Sequence, residues 1–143
     1  MVKTRLASPE DESSVLALLG QLFARDLASD TRVALSFRRM LDAERGAVIV
    51  AYEDAGILGV ITVSFNLAAR YATAYAQIEE LVVDEKGRGK HVGALLVQAA
   101  VKEARDRGCD EIGLYAGEAT RAFYEKLGFI YSGVELRRPL AQE

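Results

Sequence analysis

Apolar and polar side chains alternate from Val2 to Ala7, the period of a short strand. Ser8-Pro9-Glu10-Asp11 then has the make-up of a helix start, with Ser8 as N-cap, Pro9 at the first helical position and Asp11 completing an approximate capping box. Val15, Leu18, Leu19 and Leu22 recur behind it at helical spacing. Ser29-Asp30 offers another N-cap, and Val33, Phe37, Met40 and Leu41 mark a second helix that ends before Gly46. Ala47–Tyr52 and Ile57–Phe65 read as the arms of a hairpin around Glu53-Asp54-Ala55-Gly56. After a loop from Asn66 to Thr73, Tyr75–Val83 reads as a long strand. A glycine-rich basic loop leads into a helix whose one face is Val92, Leu95, Leu96, Ala99, Ala100 and Ala104, with Gly108 as its C′ residue. A short strand over Glu111–Tyr115, a short helix over Thr120–Leu127 closed by Gly128, and one or two strands over Phe129–Leu140 complete the chain. The order β-α-α-β-β-β-α-β-α-β-β predicts an α/β fold of the α+β kind, a mixed sheet with helices on its faces.

Composition narrows the function classes. The 143 residues are expected to form a single domain over 1–143, large enough to bury a core without disulfides or metal. Cys109 and His91 are the whole stock of their types, so a disulfide framework and a structural zinc site are both excluded, and no metal is expected. With 18 Lys plus Arg against 21 Asp plus Glu, the net charge of −3 argues against nucleic acid as a partner. The start, Met1-Val2-Lys3-Thr4-Arg5, leads into a polar stretch and not into a leader's apolar core, and no apolar run reaches membrane-span length. The expectation is a soluble, cytoplasmic protein without a membrane partner.

The most informative stretch is Leu81-Val82-Val83-Asp84-Glu85-Lys86-Gly87-Arg88-Gly89-Lys90-His91-Val92-Gly93, a junction from strand to helix. The first N–H groups of a helix have no internal partner and carry partial positive charge, so a pyrophosphate suits such a place. Glycines allow close backbone approach, and Lys86, Arg88 and Lys90 add charge. The loop is neither a Walker loop nor a dinucleotide fingerprint, because Gly-Lys-Ser/Thr and G-x-G-x-x-G are absent. The alternative is a plain strand-to-helix turn with a solvated basic rim.

This loop resembles the signature of the GNAT superfamily of acyl-CoA-dependent N-acyltransferases: Arg or Gln, two residues, Gly, one residue, then Gly or Ala. Arg88 and Gly93 match, and His91 stands where the pattern has its first Gly. Arg121-Ala122-Phe123-Tyr124-Glu125-Lys126-Leu127-Gly128-Phe129 is similar to the family's late segment, and the opening Arg5–Asp11 and the Gly46–Gly59 hairpin are similar as well. The resemblance implies a fold whose central sheet is splayed and a reaction in which acetyl-CoA acetylates a primary amine of a small molecule by direct attack in a ternary complex. It implies that the backbone of Arg88, Gly89, Lys90, His91, Val92 and Gly93 holds the pyrophosphate. By the same resemblance Leu81, Val82 and Val83 pair with the pantetheine arm, and Tyr124 sits near the thioester sulfur. Where the family often has an Asn seven residues before this Tyr, the chain has Gly117. Alternatives on the same fold are a peptide or protein acetyltransferase and a non-catalytic acyl-CoA-binding module. An acetyltransferase acting on charged tRNA is disfavoured by the acidic balance.

An alkylammonium must lose a proton before it can attack, so a base is needed. Glu79 and Glu80 lead into the loop, and in a regular strand only one of them faces the cleft unless a bulge intervenes. By its distance from the loop, Glu79 resembles the base position of some relatives and ranks first, with Glu80 beside it. Tyr124 is the candidate acid for the departing thiolate, and a main-chain N–H around Val82 the family-level candidate for the oxyanion. His91 is disfavoured as a base by its place at a helix start, and Cys109 lacks a partner base. Candidates for the amine pocket are Phe23, Asp26, Phe37, Arg70, Tyr71 and Tyr75. Val134–Leu140 is a candidate edge through which two copies form a homodimer, with Pro139 limiting its end.

Overall fold

Val48–Ala51 and Val60–Val63 are rich in β-branched residues and buried on both faces, so they form the middle of a sheet. A computed structural model describes residues 1–42 and 44–141 and shows this sheet. β2 (Gly46–Glu53) and β3 (Gly56–Leu67) make the predicted hairpin, β1 (Lys3–Leu6) flanks β2 and β4 (Ala74–Val83) flanks β3, all antiparallel. β5 (Ile112–Leu114) lies parallel to β4, and the crossover between them is the helix α3 (Val92–Asp106). The sheet order is therefore β1-β2-β3-β4-β5.

Strand alternation divides the core in two. Ile49, Ala51, Ile61 and Val63 point to α3, while Val48, Val50, Val60 and Val82 point to α1 (Glu12–Phe23) and α2 (Thr31–Leu41). Gly59 allows α3 to sit this close: a Cβ there would lie 2.9 Å from the Val82 carbonyl and 3.0 Å from Val92 and Leu96 side-chain atoms. Polar residues set where the first two helices begin. Ser8 N–H donates to Asp11 Oδ2 at 2.8 Å, and Arg5 forks onto both oxygens of the same carboxylate at 2.7 and 3.1 Å. Asp30 caps α2 by accepting from the Arg32 and Val33 amides.

The end of the chain departs from the expected order. α4 (Glu118–Lys126) forms, but the strands predicted over Phe129–Leu140 do not, and the chain there has neither helix nor strand. Alternation marks an extended tendency, and a strand also needs a ladder partner; β5 is three residues long and pairs with β4 alone. Odd-numbered residues of this arm touch the body: the Arg121 guanidinium lies over the Tyr131 ring at 4.6 Å, and Tyr115 bonds to Glu135. The even-numbered Ile130, Val134, Leu136 and Leu140 are exposed by 86, 80, 91 and 75 %.

Candidate active site

The site is built on β4. This strand pairs with β5 only over Ala76–Ile78, opposite Ile112–Leu114, and then runs on from Glu79 to Val83 with no strand on that side. The two parallel strands thus splay, and because Val82 pairs back to Val60 of β3, the main-chain groups of Leu81 and Val83 are the ones turned to the opening.

A β-bulge lies where the strands part. Thr62 of β3 pairs with Glu80, the next residue Val63 pairs with Ile78, and Glu79 is the extra residue between them. A regular strand would send neighbouring side chains to opposite faces. Here Thr62 bonds to Glu80 through its hydroxyl and donates nothing to Glu79, whereas Ser64 Oγ donates to Glu79 Oε2 at 2.6 Å. Thr62 and Ser64 are two apart on one strand, so both carboxylates lie on the α1/α2 face. They differ in environment. Glu79 is exposed, while Glu80 is largely enclosed, and that burial raises its carboxyl above the usual range. The Thr62 hydroxyl opposes the shift, and the charge of Glu79 adds to it.

Glu80 and Thr62 form the inner wall of a cavity of about 480 Å³ between α1, α2 and the sheet. Phe23, Phe37 and Met40 line it, with Arg25 and Ser36 as its other polar side chains. Of the six pocket candidates, Phe23 and Phe37 are therefore at this cavity. Arg70, Tyr71 and Tyr75 form a separate stack, with the guanidinium 4.6 and 5.5 Å from the two rings and Tyr71 bonded to Glu111. Asp26 caps its own turn by accepting from the Ala28 amide.

A second cavity, of about 430 Å³, opens on the α3 face of the same strand. Leu81 and Val83 form one side; Arg88, Gly89, His91, Val92 and Gly93 form the other. The first bond of α3 runs from the Leu95 amide to the His91 carbonyl, so the amides of Val92, Gly93 and Ala94 stand ahead of the helical ladder. Gly89 and His91 both have left-handed backbones, with φ of 78° and 60°, which turn the loop around the helix end. Among the loop cations, Lys90 reaches away to Glu53 at 2.7 Å, while Arg88 lines the cavity. His91 is exposed and caps no amide through its side chain. These features fit a pyrophosphate: loose amides, a guanidinium and a backbone free to approach.

Tyr124 of α4 packs against the same α3-side core as Leu81 and Val83, edge-on to the rings of Phe123 and Phe129. Burial raises its phenol, so it holds its proton at neutral pH. Phe123 was not among the sequence candidates, yet it lines the second cavity, and a Cβ on Gly93 would come 3.3 Å from its Cζ. Its place beside Tyr124 is the one signal in the sequence. Thr62 is the other missed residue; its signal is the polar run Thr62, Ser64, Asn66 on one face of a strand otherwise buried. Cys109 is half-buried, and burial pushes its thiol up, away from nucleophilic character.

Residues 16–129 match the model of a family described as the acetyltransferase (GNAT) family. The chain is 31% identical over 134 residues to a glucosamine 6-phosphate N-acetyltransferase of Trypanosoma brucei brucei, a match covering 90% of this chain and 88% of that one. Among solved structures, a transcriptional regulator from Bacillus halodurans C-125 superposes with a TM-score of 0.87 at 25% identity, covering 98% of this chain and all of the other. The glucosamine-6-phosphate N-acetyltransferase of Arabidopsis thaliana superposes with a TM-score of 0.84 at 23% identity, over 97% of this chain and 98% of that one, a likeness of fold.

Proposed function

The chain belongs to the GNAT acetyltransferase family and is an acetyl-CoA-dependent N-acetyltransferase, and from that premise we propose that it acetylates a primary amine of a small molecule with Glu80 as base and Tyr124 as acid. One observation carries this reading. The bulge at Glu79 turns Glu80 into the cavity under α1 and α2, while Leu81 and Val83 wall the cavity at the α3 mouth. An amine on one face of β4 and a thioester on the other therefore meet at the strand's free edge.

Acetyl-CoA supplies an activated acetyl group. The amides of Val92 to Ala94 and the Arg88 guanidinium hold its phosphates, and the free edge from Leu81 to Val83 offers main-chain partners to its pantetheine arm. Glu80, made more basic by burial, takes the proton from the amine, and its charge draws the cation in. Tyr124 keeps its phenolic proton until the thiolate leaves. A main-chain N–H around Val82, at the free stretch of β4, is our candidate for the oxyanion. With Glu79 exposed and bonded to Ser64, we give it the lesser part of adding negative potential. We also propose that two copies pair through the 129–141 arm, whose even-numbered apolar face has no cover in one chain.

Thiol release from acetyl-CoA is the test, run against polyamines, amino acids, aminoglycosides, short peptides and the glucosamine 6-phosphate of the named relatives. Release with at least one small amine is expected. CoA binding without release for any amine would make the chain a binding module instead.

A further inference from the structure

The walls of the acceptor cavity carry a statement about what enters it. Its lining is mostly apolar: Leu19, Phe23, Leu27, Val33, Phe37 and Met40 contribute from the two helices and their connection. Polar side chains are few and already engaged. Thr62 is committed to Glu80, and Arg25, the only cation lining the cavity among the described residues, lies 3.7 Å from Asp30 with most of its side chain in solvent. Ser36 alone remains.

We infer that the acceptor is a primary amine carried on a compact apolar body, an arylalkylamine or branched alkylamine, with its nitrogen at Glu80 and its body between Phe23, Phe37 and Met40. This rests on the proposed chemistry at Glu80 and adds the class of substrate. A buried hydroxyl without a partner is costly, so a polyhydroxylated acceptor would leave several groups unsatisfied against these side chains. A sugar phosphate needs, besides, a cation able to close on its phosphate, and Arg25 stands at the rim beside a carboxylate. An apolar body loses nothing there and displaces water from the phenyl faces of Phe23 and Phe37. The inner end of the cavity, where Glu80 meets the Thr62 hydroxyl, is the one place suited to an ammonium. An amine with a single polar end therefore has one orientation in the cavity, and that orientation points the nitrogen at the free edge of β4.

The experiment compares kcat/KM for 2-phenylethylamine, glucosamine 6-phosphate and spermidine, with ethylamine as a body-less control. Phenylethylamine is expected to exceed each of the others by roughly tenfold or more. Phe23→Asp, at a side chain already 53 % exposed and so tolerable for folding, should raise KM for phenylethylamine by a larger factor than KM for ethylamine. A preference for the sugar phosphate or the polyamine overturns the inference while leaving the acetyl transfer intact. If no amine is turned over, thermal shift with phenylethylamine still decides. A shift in the parent that Phe23→Asp abolishes supports the cavity assignment and sinks the chemistry; no shift sinks the assignment as well.

Discussion

Glu80 combines two opposing demands in one side chain. A carboxylate held near Thr62 and enclosed by the acceptor cavity is a stronger base than one in water, and it also opposes folding once ionised. Because its folded pKa is raised above the unfolded value, the stability it contributes is present at acidic pH and is lost as pH rises through the raised value. Glu80→Gln should therefore unfold at an equal or higher temperature than the parent at pH 8, with less difference at pH 4. The same variant should lose about a hundredfold in kcat/KM and the acidic limb of its pH profile, as expected for a general base. An unchanged limb would assign the base elsewhere. His91 is a second residue where chemistry and geometry part. Its backbone is left-handed at φ 60°, at the position where the family pattern has Gly. His91→Gly should lie within about 1 kcal/mol of the parent in denaturant, whereas His91→Val should cost about 1–2 kcal/mol, because a β-branched residue is the poorest fit to that conformation. Donor affinity should survive the Gly variant, since main-chain amides and not the imidazole form that wall.

At the scale of elements, what decides the site is how pieces approach. α3 lies against β3 only because Gly59 has no side chain, and the mouth of α3 is what brings its amides to the edge of β4. Gly59→Val should cost about 2 kcal/mol by overpacking, and it should weaken donor binding beyond that loss, measured by titration with CoA at a temperature where the variant is folded. The helices and the hairpin were legible in the residues themselves. Val15, Leu18 and Leu19 repeat at helical spacing and are buried, Asp30 caps α2 as read, and the turn at Glu53–Gly56 falls where the polar break lies. The bulge was not legible. It is a matter of register between two strands, and neither Thr62 nor Glu79 alone records which residue of one faces which of the other. The last strands failed for a related reason: alternation in Ile130, Val134 and Leu136 describes one chain, while a ladder needs two.

Charge is apportioned across the molecule. Arg88 stands at the α3 mouth and the paired carboxylates on the opposite face, so the donor and acceptor proposed above would meet opposite charges at different entrances of one sheet. The acid side of stability rests on residues that line neither cavity. Asp11 is held below the ordinary carboxylate range, first by its bond to Arg5 and then by the Ser8 amide. Its contribution is present above the unfolded value and is lost as pH falls through the folded one. Asp11→Asn should lower stability at pH 7 by about 2 kcal/mol, the scale of a lost charge-assisted bond, and the difference should vanish at strongly acid pH. The arm gives the largest-scale expectation. Light scattering at tens of micromolar should return a dimer mass, and Leu136→Asp, on a side chain exposed by 91 % in one chain, should halve it without unfolding; a monomeric parent would remove that reading.

The splay between β4 and β5 has a meaning beyond catalysis. From Glu79 to Val83 the strand is an open edge in the middle of a sheet, the kind of surface that invites another chain to add itself. Proteins commonly blunt such an edge with charge or proline, and here Glu79 and Glu80 charge its first half while Leu81 to Val83 remain apolar. On the donor placement proposed above, the pantetheine arm would cover that apolar half as an added strand does. Bound donor would then also guard the molecule against misassembly, and its removal should leave the edge open to other chains.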